Sequence, residues 1–79
     1  MIHARDDYNR IQDPANKIPL LEPVFLLRGQ DVHAAECVEH WALCNERAGG
    51  DPVLSKAARA QAQKMRDWPT HKRPDRPAE

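Results

Sequence analysis

The side chains best suited to metal chemistry are two histidines and two cysteines that recur within one predicted helix. Thiolate and imidazole are ligands that zinc prefers, and spacings of four, three and four residues place the groups in a broad arc. Structural zinc sites usually draw on two elements, because one straight helix cannot surround an ion. We therefore predict no metal site and no cofactor, and interpret both cysteines as small apolar core residues. The four residues are His33, Cys37, His40 and Cys44.

The sequence contains no arrangement of residues that is typical of an enzyme. A nucleophilic cysteine needs an accessible, electropositive environment, whereas Cys37, which could pair with His40 or His33, is predicted to face inward. The adjacent carboxylates Asp6 and Asp7 belong to a flexible arm, where they cannot keep the fixed separation that acid–base catalysis requires. We therefore predict a protein that is not an enzyme.

One arginine is the candidate for anion binding. Arg28 follows four apolar residues and lies near a predicted helix N-terminus, where a phosphate or a carboxylate could bind. The alternative is an ion pair with Glu22 or Asp31 at the end of the strand. In a ligand site, Arg28 would act with the basic residues Lys56 and Arg59 at an oligomer interface.

The elements that must position these groups begin with the apolar run Val24–Leu27. Pro23 and Gly29 bound this run of β-branched, aromatic and aliphatic residues, so we predict one short buried strand. Its side chains alternate between two faces, and both faces need cover. We expect an antiparallel partner strand from a second copy, across a two-fold axis.

Two helices are predicted after the strand, over residues 32–48 and 52–67. Asp31 is the expected N-cap of the first helix, Gly49-Gly50 ends it, and Asp51-Pro52 begins the second. The short linker predicts an antiparallel αα-hairpin. The predicted inner stripes are Ala34, Cys37, Val38, Trp41, Cys44 and Ala48 in the first helix and Leu54, Ala57, Ala58, Gln61, Met65 and Trp68 in the second.

The predicted fold is α+β: an extended arm, one short strand and the hairpin, completed by dimerisation. A chain of 79 residues buries only a small core, which favours a homodimer. Ala42 and Leu43 fall outside the first inner stripe and would extend an apolar contact patch beside the strand. We divide the chain into an arm (1–17), a domain (18–68) and a tail (69–79) that we expect to be disordered. Within the arm, Asp13–Asn16 predicts a type I turn, and Tyr8 and Ile11 are the expected anchors.

Composition limits the possible functions. Twelve basic and twelve acidic side chains give a net charge of zero, which argues against a general nucleic-acid binder. The charge is uneven, because five basic and nine acidic residues in 1–51 give −4, and seven and three in 52–79 give +4. No apolar run is long enough for a secretory signal or a membrane span, so we expect a cytoplasmic protein.

The run from Ile18 through Trp68 resembles a group of small accessory proteins of phages and prophages. The resemblance lies in EPVFLLRGQD, the stretch Ala34–Trp41, the segment Ala48–Pro52 and the closing Met65–Trp68. Compact phage proteins of this size are similar to inhibitors of host immunity, anti-CRISPR proteins among them. The resemblance implies a stoichiometric inhibitor that occupies a surface of a host complex.

We therefore expect a non-enzymatic phage inhibitor that binds a host antiviral defence complex, such as a type I CRISPR surveillance complex, and blocks its binding of target DNA. Direct nucleic-acid binding is not expected. The alternatives are an oligomeric sponge for a small anionic nucleotide signal and a phage structural or assembly factor. The expected partner-binding residues are Arg28, Asp31, Glu36, Glu39 and Leu43.

Overall fold

The computed structural model describes residues 1–7 and 12–76. Its elements are β1 (Ile2–His3), β2 (Pro23–Val24), α1 (Ala34–Arg47) and α2 (Pro52–Asp67). The architecture is mixed α+β, as predicted. The chain divides into two compact units, one containing both strands within residues 1–27 and one containing both helices within residues 28–76.

The two strands pair in parallel within one chain. Ile2 is opposite Pro23, and His3 is opposite Val24. The backbone amide of Ile2 donates to the Glu22 carbonyl oxygen over 2.7 Å. Pro23 has no amide hydrogen to contribute, and it fits here because it is the first residue of its strand. The pairing within one chain is therefore parallel, and an antiparallel partner strand from a second copy stays a prediction.

The predicted strand over Val24–Leu27 is wrong in extent. Strand β2 ends at Val24, and Phe25 is 67% exposed. Val24, Leu26 and Leu27 are half-buried. A strand extends only as far as its hydrogen-bonded partner, and β1 offers two residues. Because β1 has no further residue to pair with, the apolar run leaves the sheet after Val24.

Helix α1 begins later than predicted, because Asp31 closes a turn ahead of the helix. The Asp31 carboxylate accepts from the His33 backbone amide over 2.8 Å, and its carbonyl oxygen accepts from the Ala34 amide over 3.1 Å. His33 is the N-cap, and it makes no side-chain capping bond. The assignment of Asp31 as the N-cap is therefore wrong by two residues.

Helix α2 begins where the sequence predicts. The Asp51 carboxylate accepts from the Val53 amide over 2.9 Å, and Pro52 is the first helical residue. Gly49, just beyond α1, has a φ of +72°, which is the left-handed conformation that glycine adopts at no steric cost. These local signals explain why the predicted bounds 52–67 are confirmed.

The N-cap of α2 gives a first testable prediction. We expect Asp51→Ala to lower the free energy of unfolding by about 1 kcal/mol, because the Val53 amide loses its acceptor. Asp51→Asn keeps a side-chain oxygen and serves as the control, with an expected change of a few tenths of a kcal/mol. Urea unfolding followed by circular dichroism measures both. Equal losses in the two variants would contradict the capping role.

The helix interface is built from the smallest side chains. Among the described residues, the fully buried apolar positions are Ala34, Ala42 and Ala62, and Ser55 is 2% exposed. The Ser55 hydroxyl donates to the Ala42 carbonyl oxygen over 3.4 Å and accepts from Asn45 Nδ2 over 2.8 Å. Alanine and serine therefore bring α1 and α2 close together, with one buried hydroxyl satisfied between them.

Two ion pairs join the helices along one flank. Arg66 donates to Glu39, and Arg59 donates to Glu46. The glutamate nearer the start of α1 pairs with the arginine nearer the end of α2. All four side chains are partly exposed, so each pair contributes little to stability. The two ion pairs nevertheless show which sides of the two helices lie next to each other.

The predicted inner stripes are confirmed only in part, because the observed interface is rotated relative to them. Ala34 is buried, and Val38, Ala58 and Met65 are half-buried. Cys37, Trp41 and Cys44 are exposed, Trp41 to 50%. In α2, Leu54 is 53% exposed and Trp68 is 54% exposed. The prediction that Ala42 lies outside the stripe is wrong, because Ala42 is fully buried, whereas Leu43 is half-buried. The helices pack on their small residues rather than on their largest apolar ones.

The segment after α2 is held by backbone pairing. The Lys72 amide donates to the Gln30 carbonyl oxygen over 2.8 Å, and the Val32 amide donates to the Lys72 carbonyl oxygen over 3.1 Å. Asp31 and Lys72 thereby form an isolated parallel bridge. Disorder of the tail stays a prediction, although the tail makes these backbone hydrogen bonds at Lys72, and residues 77–79 lie outside the described residues.

In the arm, the predicted turn forms, since the Asn16 amide donates to the Asp13 carbonyl oxygen over 3.0 Å. The Asp13 carboxylate also accepts from the amides of Lys17 and Ile18. Asn16 has a φ of +51°, a conformation that asparagine tolerates better than most residues. The proposed anchors Tyr8 and Ile11 lie outside the described residues.

Candidate functional site

A groove of about 640 Å³ lies where the first turns of α1 meet the last turns of α2 and the segment around His71. Three parts of the helical unit therefore form its walls, although they are distant in sequence. The groove is open to solvent along one side. Its lining residues are Gly29, Asp31, Val32, Ala35, Glu36, Glu39, Met65, Arg66 and His71.

The walls of the groove are tied to one another. A Cβ atom placed on Gly29 would lie 3.6 Å from the Met65 Cα and from the Trp68 Cβ, so this backbone packs directly on the end of α2. His71 Nε2 donates to the Met65 carbonyl oxygen over 3.0 Å. The Asp31–Lys72 bridge joins the remaining edge. These backbone contacts therefore hold three walls of the groove in place.

The groove carries more acidic than basic groups. Glu39 is paired with Arg66, and the Asp31 carboxylate accepts from the His33 amide. Glu36 is exposed and makes no hydrogen bond or ion pair within the part of the chain that the structure describes. Its negative charge is available to a cationic ligand, next to a carboxylate and an ion pair that are already ordered.

The structure brings together three of the five predicted partner-binding residues. Asp31, Glu36 and Glu39 line one groove. Arg28 is exposed and contributes its carbonyl oxygen to a bond from the Asp31 amide over 3.0 Å, but its side chain does not line the groove. Leu43 is half-buried and also lies outside the lining.

The three residues proposed for an anionic ligand are divided between the two ends of α2. Lys56 is in the first turns of the helix, and Arg59 is paired with Glu46. Arg28 adjoins Gly29, which packs on Met65 near the helix end. Nine residues separate Lys56 from Met65, which is about 13 Å along the helix axis. One chain therefore does not gather these groups into one site.

The histidines and cysteines of α1 do not form a ligand set. The nearest contact is between Cys44 Sγ and His40 Nε2, at 3.5 Å. Both cysteines are free thiols on exposed positions, contrary to their predicted place in the core. Across residues 1–7 and 12–76, no group of three or more histidine, cysteine or acidic side chains could hold a metal ion.

Sequence reasoning missed Met65, Arg66 and His71 as groove residues. Arg66 lies outside the predicted inner stripe of the second helix, and His71 lies in the segment that we expect to be disordered. A signal for Arg66 does exist in the sequence. In a helical hairpin, facing positions have residue numbers with a constant sum, and the oppositely charged pairs Glu39–Arg66 and Glu46–Arg59 satisfy this rule. The proline-rich tail gives no comparable signal for His71.

Comparison of the chain with protein-family models, with curated proteins and with solved structures finds no match. Among the described residues, neither helix has the length and the apolar character needed to cross a lipid bilayer.

Proposed function

We propose that the chain is a non-enzymatic binding protein whose groove receives a cationic segment of a partner protein. The observation that carries the proposal is Glu36, whose carboxylate has no partner among residues 1–7 and 12–76, at a groove whose other acidic groups, Asp31 and Glu39, already have partners. An arginine or lysine side chain that enters the groove would form an ion pair with this carboxylate. The protein would lose little conformational entropy, because the neighbouring groups are already ordered. Met65 and Ala35 offer apolar surface for the methylene groups of such a side chain.

The shape of the groove depends on the relative direction of the two helices, and we infer that α1 and α2 form an antiparallel hairpin. The two interhelical ion pairs support this arrangement, since their order along α1 is reversed along α2. The Asn45–Ser55 bond near the linker agrees with it. An antiparallel hairpin places the start of α1 beside the end of α2, where the groove lies.

The partner class that we propose is a host antiviral defence complex, such as a type I CRISPR surveillance complex, in the cytoplasm of a phage-infected cell. Support comes from the resemblance of residues 18–68 to small phage proteins. A surveillance complex presents arginine and lysine where it holds nucleic acid, and an acidic groove complements such groups. Occupying them would block the binding of target DNA.

The groove gives a second testable prediction. Excess protein mixed with purified surveillance complex should lower the affinity of the complex for target DNA. We expect Glu36→Lys to weaken this inhibition by about tenfold, because like charges would meet in the groove. Glu22→Lys makes the same change at an exposed position outside the groove and should inhibit like the unmodified protein. Circular dichroism verifies that both variants are folded.

Two results would contradict the proposal at different levels. Unchanged DNA affinity at excess protein would remove the defence complex as the partner. Inhibition that Glu36→Lys and Glu22→Lys share equally would remove the groove as the contact surface. Calorimetry with a panel of anionic nucleotides tests the sponge, which would need a second copy to bring Arg28 near Lys56 and Arg59. Detection of the protein in purified particles would favour a structural or assembly factor.

A further inference from the structure

The two helices share a second surface, on the flank opposite the interhelical ion pairs. Successive helical residues are about 100° apart, so Trp41 lies roughly opposite Glu39 and Glu46 around α1. By the same spacing, Ala57 lies roughly opposite Arg59 and Arg66 around α2. Since the ion pairs join one flank, the residues opposite them adjoin on the other. We name this surface the uncharged face; it comprises Cys37, Trp41, Cys44, Ala48, Leu54, Ala57, Gln61 and Trp68, all exposed.

The uncharged face differs sharply from the opposite flank. Its eight positions include no acidic or basic residue, and Gln61 is the one polar member. Two exposed residues border it: Lys64, about 20° beyond Ala57 around α2, and His40, which contacts Cys44. The opposite flank carries the four charges of the two interhelical ion pairs. A monomeric hairpin would expose two tryptophans and a leucine to water on one side, which is energetically unfavourable. Contiguous apolar surface of this kind marks a contact site.

The helical unit is short of buried apolar surface. Among the described residues, no large side chain is fully buried, and the fully buried apolar residues are three alanines. Small domains of this kind commonly gain the missing burial by oligomerisation. The covering surface must be present whenever the chain folds, before any target has been met. A second copy of the same chain meets that requirement, whereas a host protein does not.

Area and charge both fit a second copy. Trp41, Leu54 and Trp68 are about half exposed and the other five residues are exposed, so the face offers on the order of 600 Å² per copy. A pair that covered all of it would bury about 1,200 Å², at the lower bound of specific interfaces. A two-fold axis brings the same surface of each copy together, so a charged face would repel itself. The eight positions of the face carry no such penalty, Lys64 lies at their edge, where its long side chain can extend into solvent, and the net charge of the chain is zero.

We propose that two copies pack their uncharged faces together across a two-fold axis and form a four-helix bundle. Trp41 and Trp68 become the main buried side chains of the interface. The groove containing Glu36 and Glu39 lies toward the other flank and stays open in each copy. This inference does not rest on the proposed function, and each dimer presents two grooves.

The mass in solution and the reactivity of the thiols test the proposal on the unmodified chain. Light scattering should give about 18 kDa, twice the 9.0 kDa of one chain. Cys37 and Cys44 should react with a thiol reagent at least about tenfold more slowly than in the urea-unfolded chain, because the face must open first. A mass of 9.0 kDa, or a dimer with unprotected thiols, would overturn the proposal.

Two matched substitutions locate the interface. Ala57 and Ala60 are exposed alanines of α2, and Ala60 lies about 60° further from α1 and off the uncharged face. We expect Ala57→Glu to reduce the mass to that of one chain, and Ala60→Glu to leave the dimer intact. Equal masses for the two variants would overturn the proposed face. If Ala57→Glu does not fold, the thiol protection of the unmodified chain still decides.

Discussion

Replacing Ala62 with leucine is expected to lower the free energy of unfolding by about 2 kcal/mol, because the added carbon atoms have no space between the helices. Ala62 is 0% exposed at the interface of α1 and α2. A larger side chain there must adopt a strained rotamer or push the helices apart. Separation would also stretch the 3.4 Å bond from the Ser55 hydroxyl to the Ala42 carbonyl oxygen.

Ala60→Leu is the matched control for this prediction. Ala60 is an exposed alanine of the same helix, and leucine has nearly the helix propensity of alanine, so the expected change is within about 0.5 kcal/mol. Urea unfolding at one fixed protein concentration measures both variants, because association would otherwise shift the apparent stability. A cost at Ala62 no larger than at Ala60 would show that the helices do not approach closely.

The features that sequence predicts well are those fixed by neighbouring residues. Asp51 and Pro52 specify the start of α2 through one side-chain bond and one locked φ, and both act within a single turn. Gly49 ends α1 in the same local way. Asp31 shows the limit of this reasoning, because an aspartate can close a turn ahead of a helix as readily as it can cap one. The choice depends on contacts beyond the local sequence.

The rotation of both helices could not be predicted from apolar periodicity. Periodicity favours Trp41 and Leu54 as inward residues because they are large and apolar. Two helices that approach closely instead select small residues, which here are Ala42, Ser55 and Ala62. The large residues are then left on one flank, where a second copy would cover them under our proposal. An apolar stripe therefore identifies surface that favours burial, without saying whether the other helix or another chain covers it.

The candidate site was predicted only where it is local to one helix. Asp31, Glu36 and Glu39 precede or belong to the first turns of α1, so their proximity follows from helical spacing. Arg66 and His71 come from the end of α2 and from the segment beyond it, and only tertiary packing brings them to the groove. The anion site stays a prediction that needs a second copy, since Arg28 and Lys56 lie at different ends of α2 in one chain.

Gly50→Ala is expected to cost about 2 kcal/mol through a single side chain, Asn45. A Cβ atom on Gly50 would lie 1.9 Å from Asn45 Oδ1, so the amide must move. The Asn45 amide nitrogen donates to the Asp51 carbonyl oxygen over 3.1 Å and to Ser55 Oγ over 2.8 Å. Moving it breaks both bonds and leaves the buried Ser55 hydroxyl without its donor.

A double-mutant cycle separates this effect from ordinary glycine strain. In an Asn45→Ala background, Gly50→Ala should cost much less, with a coupling of about 1 kcal/mol or more, because the colliding amide is gone. Gly49→Ala is the control, since its φ of +72° is strained for alanine although nothing lies within 4 Å of the added atom. Its cost of about 1 kcal/mol should be the same in both backgrounds. If Gly50→Ala is equally costly with and without Asn45, the linker is held by backbone conformation rather than by the Asn45–Ser55 bond.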